Sequence, residues 1–372
     1  VFETVTGLVQ EVLPYAALTW NTPLTADGKI NATLPLTGPD IEHLNVRTLT
    51  TPWRYSLAVV QGDQALAAGV INGDRNWSDD NATQITVTAA EPWVLLAMRP
   101  LLGDYSTVAP PADVTLTSGS LWGLATEIAG RATNDFPDGT LPIDLPASEY
   151  GTNYTRTYAG SDFKDASAAL QDLTKVINGP DVVFDPYLAD SRRRVRWTMR
   201  VGRPTLRQSG DDLVFDYPGS GTLTENEDPS GMASTLLVTA QPQQDTAAGD
   251  STTAEQTTLV ARSNNPELIA GGYPAMWAVN SDHTDVSEQS TLDGYATSYG
   301  QAAQSPTVLR PFTVRTDDPD HPLGTYRRGD TAQIVVGDHP WIPAGAYPVR
   351  ITDLAVDSTT VTVTVAETQA GT

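Results

Sequence analysis

Residues 359–365 read Thr-Thr-Val-Thr-Val-Thr-Val. Val361, Val363 and Val365 fall on one side of this stretch, and Thr360, Thr362 and Thr364 on the other. Strict period-2 alternation of β-branched residues describes a strand with one dry face and one wet face. Working upstream, the chain offers a strand around Tyr347–Ile351, a Pro/Gly hairpin loop, an apolar strand Ala332–Val336, and a turn at Arg328-Gly329-Asp330. An amphipathic segment, Val286–Ala303, precedes this block. No catalytic motif lies in it. A chain that spends its best-specified sequence on a sheet is built to be a shape.

At 372 residues, 40% of them apolar, the chain has enough material for two or three domains with their own cores. Thr, Gly and Pro are abundant and Lys is scarce, which suits strands and turns better than helices. There is no cysteine, so disulfides, thiolate-bound zinc and a thiol nucleophile are excluded. The 45 acidic residues outweigh 22 basic ones to give a formal charge of −23. A phosphate-binding surface needs clustered cations. The one basic cluster, Arg192-Arg193-Arg194 with Arg196, runs into Trp197, Met199 and Val201 and reads as a hairpin entering a strand. No stretch reaches the roughly 18 apolar residues of a membrane helix. The N-terminus, with Glu3 and Glu11 and no basic region, is not a signal peptide. Asn-x-Ser/Thr sites at Asn31, Asn76, Asn81 and Asn153 are what chance gives in so Thr-rich a chain.

Residues 1–110 are expected to form a β domain. Lys29–Leu36 alternates through Ile30, Ala32 and Leu34, Arg54–Val60 and Ala65–Ile71 form a hairpin across Gly62-Asp63, and Gln84–Thr88 alternates again. Val108–Pro111 is a Pro-rich hinge. Residues 111–205 change character. Leu121, Leu124, Ala125, Ile128 and Ala129 recur at helical spacing after Ser118–Ser120. A second helix is predicted from Asp162 to Ile177, with Phe163, Ala166, Leu170, Leu173 and Ile177 on one face, ending at Asn178-Gly179-Pro180. Strands follow at Asp181–Asp185 and Val195–Val201, giving an α/β insertion. Residues 206–372 return to β structure, with a strand at Ser234–Ala240 and an exposed, mobile loop near 241–256. An inner helix near 286–304 is capped by Asp285 or Ser287, with Leu292, Tyr295, Ala296, Tyr299 and Ala303 on one face.

Candidate chemistry is sparse. Arg328-Gly329-Asp330 is the integrin-type adhesion tripeptide, but a Gly-Asp turn is also what the following strand requires. Asp317, Asp318 and Asp320, beside His321, are weak candidate oxygen ligands for calcium; without the spaced ligand loop of an EF-hand the favoured reading is a solvated acidic turn. His43, His283, His321 and His339 lack two-ligand helical spacing, and no Gly-x-Ser-x-Gly turn occurs. Nothing singles out a glycosidase-like carboxylate pair. The eight tryptophans read as core and interface anchors. No cofactor and no catalytic residue are expected.

This order of segments resembles the tail hub proteins of long-tailed bacteriophages, also called baseplate hub or tail-associated minor tail proteins. The resemblance is carried by the sequence β domain, α/β insertion, β domain with an inner helix. It is carried also by Ser-Glu-Gln-Ser-Thr-Leu-Asp-Gly-Tyr-Ala from Ser287, and by Pro322-Leu323-Gly324, Arg328-Gly329-Asp330, Pro343–Gly345 and Val349-Arg350-Ile351. It is best over 222–368, loose over 1–110 and weakest over 111–205.

The resemblance implies a mainly β fold of two tube-type β-barrel or sandwich domains plus a small α+β domain. It implies a homotrimer in which three chains make a ring of six tube-type domains at the distal end of the virion's tail. The partners it implies are the distal tail protein, the tail tube, the tape measure protein and downstream tip or fibre proteins, with DNA as passing cargo. Two other classes stay open on the residues alone. A β-rich carbohydrate-binding adhesin would expose aromatics in a groove, and a tail-tip cell-wall hydrolase would show a carboxylate pair in a deep cleft.

Overall fold

The computed structural model describes residues 1–106, 111–176, 178–219, 221–240, 259–283, 286 and 289–367. The expected hinge residues 108–110, the loop 241–256, Ile177 and the candidate caps Asp285 and Ser287 lie outside the described residues. The fold is mainly β. It divides into two compact units, Val1–Thr224 with Arg310–Thr372, and Glu225–Leu309.

The alternating stretches become the sheet of the first unit. In Lys29–Pro35 the residues Ile30, Ala32 and Leu34 are buried, and in Thr360–Glu367 the buried set is Val361, Val363 and Val365 with half-buried threonines between them. Each valine is thereby removed from water, worth about 1.5–3 kcal/mol per side chain. Tyr55–Gln61 and Gln64–Asn76 form the expected hairpin, Gln84–Ala90 pairs with both Gln64–Asn76 and Lys29–Pro35, and Lys29–Pro35 pairs with Ala17–Asn21. Ala17–Asn21 then pairs with Gly345–Val356 through Trp20↔Val356 and Asn21↔Ala355. Gly345–Val356 is flanked by Thr331–Val336 and Thr360–Glu367, and Leu213–Tyr217 adds a parallel strand beside Thr331–Val336. The N-terminal and C-terminal β segments are therefore one continuous sheet. Their shared core gathers Trp20, Ile30, Ile71, Val87, Phe215, Phe312, Ile334, Ile351 and Val363.

The insertion builds a second core onto the first segment. Helix Leu121–Thr133 starts where the Ser120 hydroxyl accepts a hydrogen bond from the Gly123 N–H at 3.1 Å. It buries Leu124, Ala125, Ile128 and Ala129 against Leu170, Phe184 and Trp197. Phe2, Ala68, Trp93 and Leu96 from the first hundred residues join this core, and the Trp197 indole donates to the Ala68 carbonyl at 3.3 Å. The basic cluster sits at the turn of the hairpin Val182–Ala189/Arg194–Val201, where Asp190, Ser191 and Arg192 have positive φ.

One helix differs from expectation. It runs from Ala166 to Thr174, because Asp165 caps it by accepting from the Ala168 N–H at 2.8 Å. Phe163 ends a short 3₁₀ turn in the left-handed conformation and is 56% exposed, so it is not on the helix's buried face.

Glu225–Leu309 is a separate small layer structure. Strand Thr235–Ala240 pairs antiparallel with Val260–Asn264 and parallel with Trp277–His283. Helix Gln289–Ala302 covers one face with Leu292, Tyr295, Ala296 and Gly300. It approaches so closely at Gly300 that any Cβ there would collide with the Ser263 hydroxyl. Buried Asn265 joins the parts by donating to the Ala233 carbonyl at 2.8 Å and the Gly300 carbonyl at 2.9 Å.

Candidate functional site

The Arg-Gly-Asp tripeptide is a turn whose arginine points inward. Gly329 has φ +89°, a conformation that L side chains rarely adopt, and a Cβ there would come 2.7 Å from the Leu206 Cβ. This turn delivers Arg328 to the interior of the first unit, where it is 2% exposed. Its Nη1 donates to the Pro23 carbonyl at 2.9 Å and to Glu91 Oε2 at 2.8 Å. Its Nη2 donates to the Phe184 carbonyl at 2.9 Å and to Asp185 Oδ1 at 3.3 Å. A planar guanidinium can serve four acceptors in this way, whereas an ammonium cannot. One side chain from the C-terminal segment thus binds the first β segment and the insertion together. An adhesion role requires an accessible arginine, and Arg328 is sealed.

A second tier of ion pairs surrounds it. Arg200 pairs with Asp185 at 2.8 Å, and Arg350 pairs with Asp181, which also accepts from the Leu206 N–H at 2.7 Å. Asp330 accepts from the Arg327 N–H at 2.8 Å and closes the turn. Burial works against ionisation of Asp185, yet Arg328 and Arg200 hold it below the ordinary aspartate value. Burial is the main cause for Glu91, which, with the negative charges of Asp185 and Asp27 adding to it, is pushed up to about 7 despite Arg328 beside it. Asp27 is likewise raised by burial, to about 6. Glu91 and Asp185 are absent from the sequence-level candidates. Glu91 carried a signal, since the buried alternation Val87, Ala89 in Gln84–Ala90 continues onto it.

The three candidate calcium ligands are not gathered around one point. Asp317 makes a two-pronged pair with Arg315 at 2.7 and 2.8 Å. Asp318 Oδ1 accepts from the N–H groups of Asp320 and His321 at 2.8 and 3.0 Å, which is the geometry of an acidic turn. Among the described residues, no group of three or more acidic or histidine side chains is arranged to hold a metal ion. His321 stacks on Phe215 with ring centroids 4.6 Å apart, and His339 Nδ1 accepts from the Trp341 and Ile342 N–H groups.

Two cavities bear on the other function classes. One, of about 330 Å³, is lined by Val9, Leu13, Leu18, Ile30, Leu57 and Val59, and Glu11 is its one carboxylate. The other, of about 410 Å³ on the insertion, includes Glu127, Asp135 and Asp144. There Asp135 pairs with Arg131 at 3.4 Å, while Asp144 is bound by Arg196 and Tyr187, and its hydrogen bond with Arg196 holds it below the ordinary value. An acid held ionised by arginine is poorly suited to donate a proton. Among the described residues no helix is long and apolar enough to cross a membrane.

No protein-family model matches the chain, and no curated protein matches it in sequence. Solved structures do match it. The 43 kDa tail protein of prophage MuSo2 from Shewanella oneidensis superposes with a TM-score of 0.58 at 12% identity, covering 95% of this chain and 94% of that one. The tail protein from Neisseria meningitidis MC58 gives a TM-score of 0.55 at 10% identity, covering 96% of this chain and 93% of that one. The continuous sheet, its insertion and the small helix-covered unit together make up the fold that this chain shares with those two tail proteins.

Proposed function

We propose that the chain is a structural protein of a bacteriophage virion, a hub at the distal end of the tail that performs no catalysis. The observation that carries this reading is a fold shared over 95% of the chain with a prophage tail protein. Three copies form a closed ring that continues the tail tube and joins it to the distal tail protein above and to tip or fibre proteins below. In this reading residues 1–110 and 206–372 supply the two tube-type β domains of each copy, and 111–205 the insertion. Open sheet edges template further pairing, and a closed assembly removes that liability. The ring's lumen passes tape measure protein and DNA.

The Arg328 joint suits such a part. A ring that transmits force needs its segments fixed to one another, and a buried guanidinium with four acceptors ties three of them. The test is imaging of the purified protein by electron microscopy, together with light scattering. A threefold ring supports the hub, and a monomer persisting at high concentration overturns it.

A further inference from the structure

Three buried carboxylate oxygens around Arg328 have no hydrogen-bond donor: Asp27 Oδ1, Glu91 Oε1 and Asp353 Oδ1. Glu91 pairs with Arg328 through its other oxygen, Asp353 lies within the field of Arg328, and Asp27 within that of Glu91. The surroundings of Glu91 explain why its oxygen is left alone. A Cβ built on Gly28 would stand 2.9 Å from Glu91 Cδ and 3.0 Å from Oε1. The carboxyl is thus laid against an α-carbon, whose C–H groups are no substitute for an N–H or O–H donor. A buried carboxylate oxygen without a donor is expensive, and the relief open to it is a proton of its own.

The charges facing this point come from every element packed against it. Asp27 lies in the turn after Ala17–Asn21 with Lys29 next to it, Glu91 follows Gln84–Ala90, and Asp185 is on Val182–Ala189. Arg200 lies on Arg194–Val201, Arg327, Arg328 and Asp330 on the turn, and Asp353 on Gly345–Val356. Of the cations, Lys29 and Arg327 are exposed and only Arg328 is fully enclosed. One enclosed guanidinium stands between two carboxylates, and a single ionised one, Asp185, already balances its charge.

We propose that Glu91, backed by Asp27, is a proton-binding site that couples the strength of the Arg328 joint to pH. With the proton on Oε1, Oε2 still accepts from Arg328, and the enclosed trio of Arg328, Asp185 and Glu91 carries no net charge. Losing the proton puts a second negative charge between Arg328 and Gly28. Glu91 titrates near 7 when folded, against an ordinary value of 4.5. A carboxyl raised on folding contributes stability that is complete below its ordinary value and is lost as pH rises through the folded value. The joint therefore tightens on mild acidification and loosens on the alkaline side.

The test is thermal melting of the full chain at pH values of about 5.5, 7 and 8.5 and constant ionic strength. Wild type is compared with Glu91→Gln and Asp27→Asn. Infrared difference spectroscopy follows the carbonyl stretch of a protonated carboxyl. Other groups titrate over this range as well, Asp27 among them at about 6, so the readout is the difference between proteins. The expected result is that Glu91→Gln melts with wild type at the acid end and several degrees higher at the alkaline end. It should also lack an infrared band that titrates near neutrality in wild type. Asp27→Asn should move that band's midpoint to lower pH, which remains a readout if Glu91→Gln fails to fold. A pH-independent difference between the two proteins, or the same band persisting in Glu91→Gln, overturns the proposal. So does a calcium- or magnesium-induced rise in melting temperature that Glu91→Gln abolishes, which would make the site one for a metal.

Discussion

Arg328 and Glu91, 237 positions apart in the chain, meet at 2.8 Å in the interior of the first unit. Neither is more than 4% exposed at its side chain. The value of the pair lies less in its own attraction than in what its loss would leave behind. A buried ion pair roughly breaks even against a hydrophobic replacement, but a buried charge stripped of its partner is strongly destabilising.

Arg328→Met should therefore lower the stability of the chain by about 3–5 kcal/mol, because Glu91 and Asp185 both lose their shared cation. Arg328→Lys should fall between wild type and Arg328→Met, since one ammonium cannot reach four acceptors on two segments. Urea denaturation measures both. A loss below about 1 kcal/mol for Arg328→Met would mean the joint does not hold the segments together.

The last strand offers a paired test of register. Val363→Asp puts a carboxylate where the side chain is fully buried and should cost several kcal/mol, on the order of a buried unpaired charge. Thr362→Asp, one residue away on the half-buried face, should cost far less. The two urea midpoints check this, and equal losses would contradict the pairing of Val363 with Leu354 and Phe312.

In the small unit, Asn265→Leu should strand the Ala233 and Gly300 carbonyls that the amide now satisfies. The loss expected is about 1–3 kcal/mol. Hydrogen exchange should accelerate within Glu225–Leu309. Protection unchanged in that unit would show that the amide's two bonds are dispensable.

In the ring proposed above, each copy would bring a formal charge of −23. The lumen wall should carry more Asp and Glu than Lys and Arg, since inward cations would hold passing DNA by counterion release. Carboxylates repel phosphate over a Debye length of about 8 Å and so keep a duplex centred. Charges mapped against distance from the threefold axis of an imaged ring decide this, and a net basic wall overturns it.

The strands were legible because burial on one face imposes period-2 alternation, which Lys29–Pro35 follows throughout and Thr360–Glu367 follows as far as Val365. Helix Leu121–Thr133 was legible from its spacing and its Ser120 cap. The start of the Ala166–Thr174 helix was not, because Phe163 fits helical spacing while the Asp165 cap fixes the true beginning. Arg328 was illegible for a different reason. An Arg-Gly-Asp turn reads the same whether exposed or buried, and its burial is decided by Phe184 and Asp185, more than a hundred residues away. The aspartates at 317, 318 and 320 were legible as a turn, which their backbone hydrogen bonds now describe.

The seam between Trp20 and Val356 sets an order of events during synthesis. A ribosome delivers Ala17–Asn21 long before Gly345–Val356 exists, so that strand emerges with one edge unpaired and waits for nearly the whole chain. Contacts this distant in sequence are slow to form, because the loop between them must first be closed. Until then the waiting edge is open to other nascent chains from the same message. Production at low temperature or with a chaperone should accordingly raise the soluble yield more than any substitution on the finished surface.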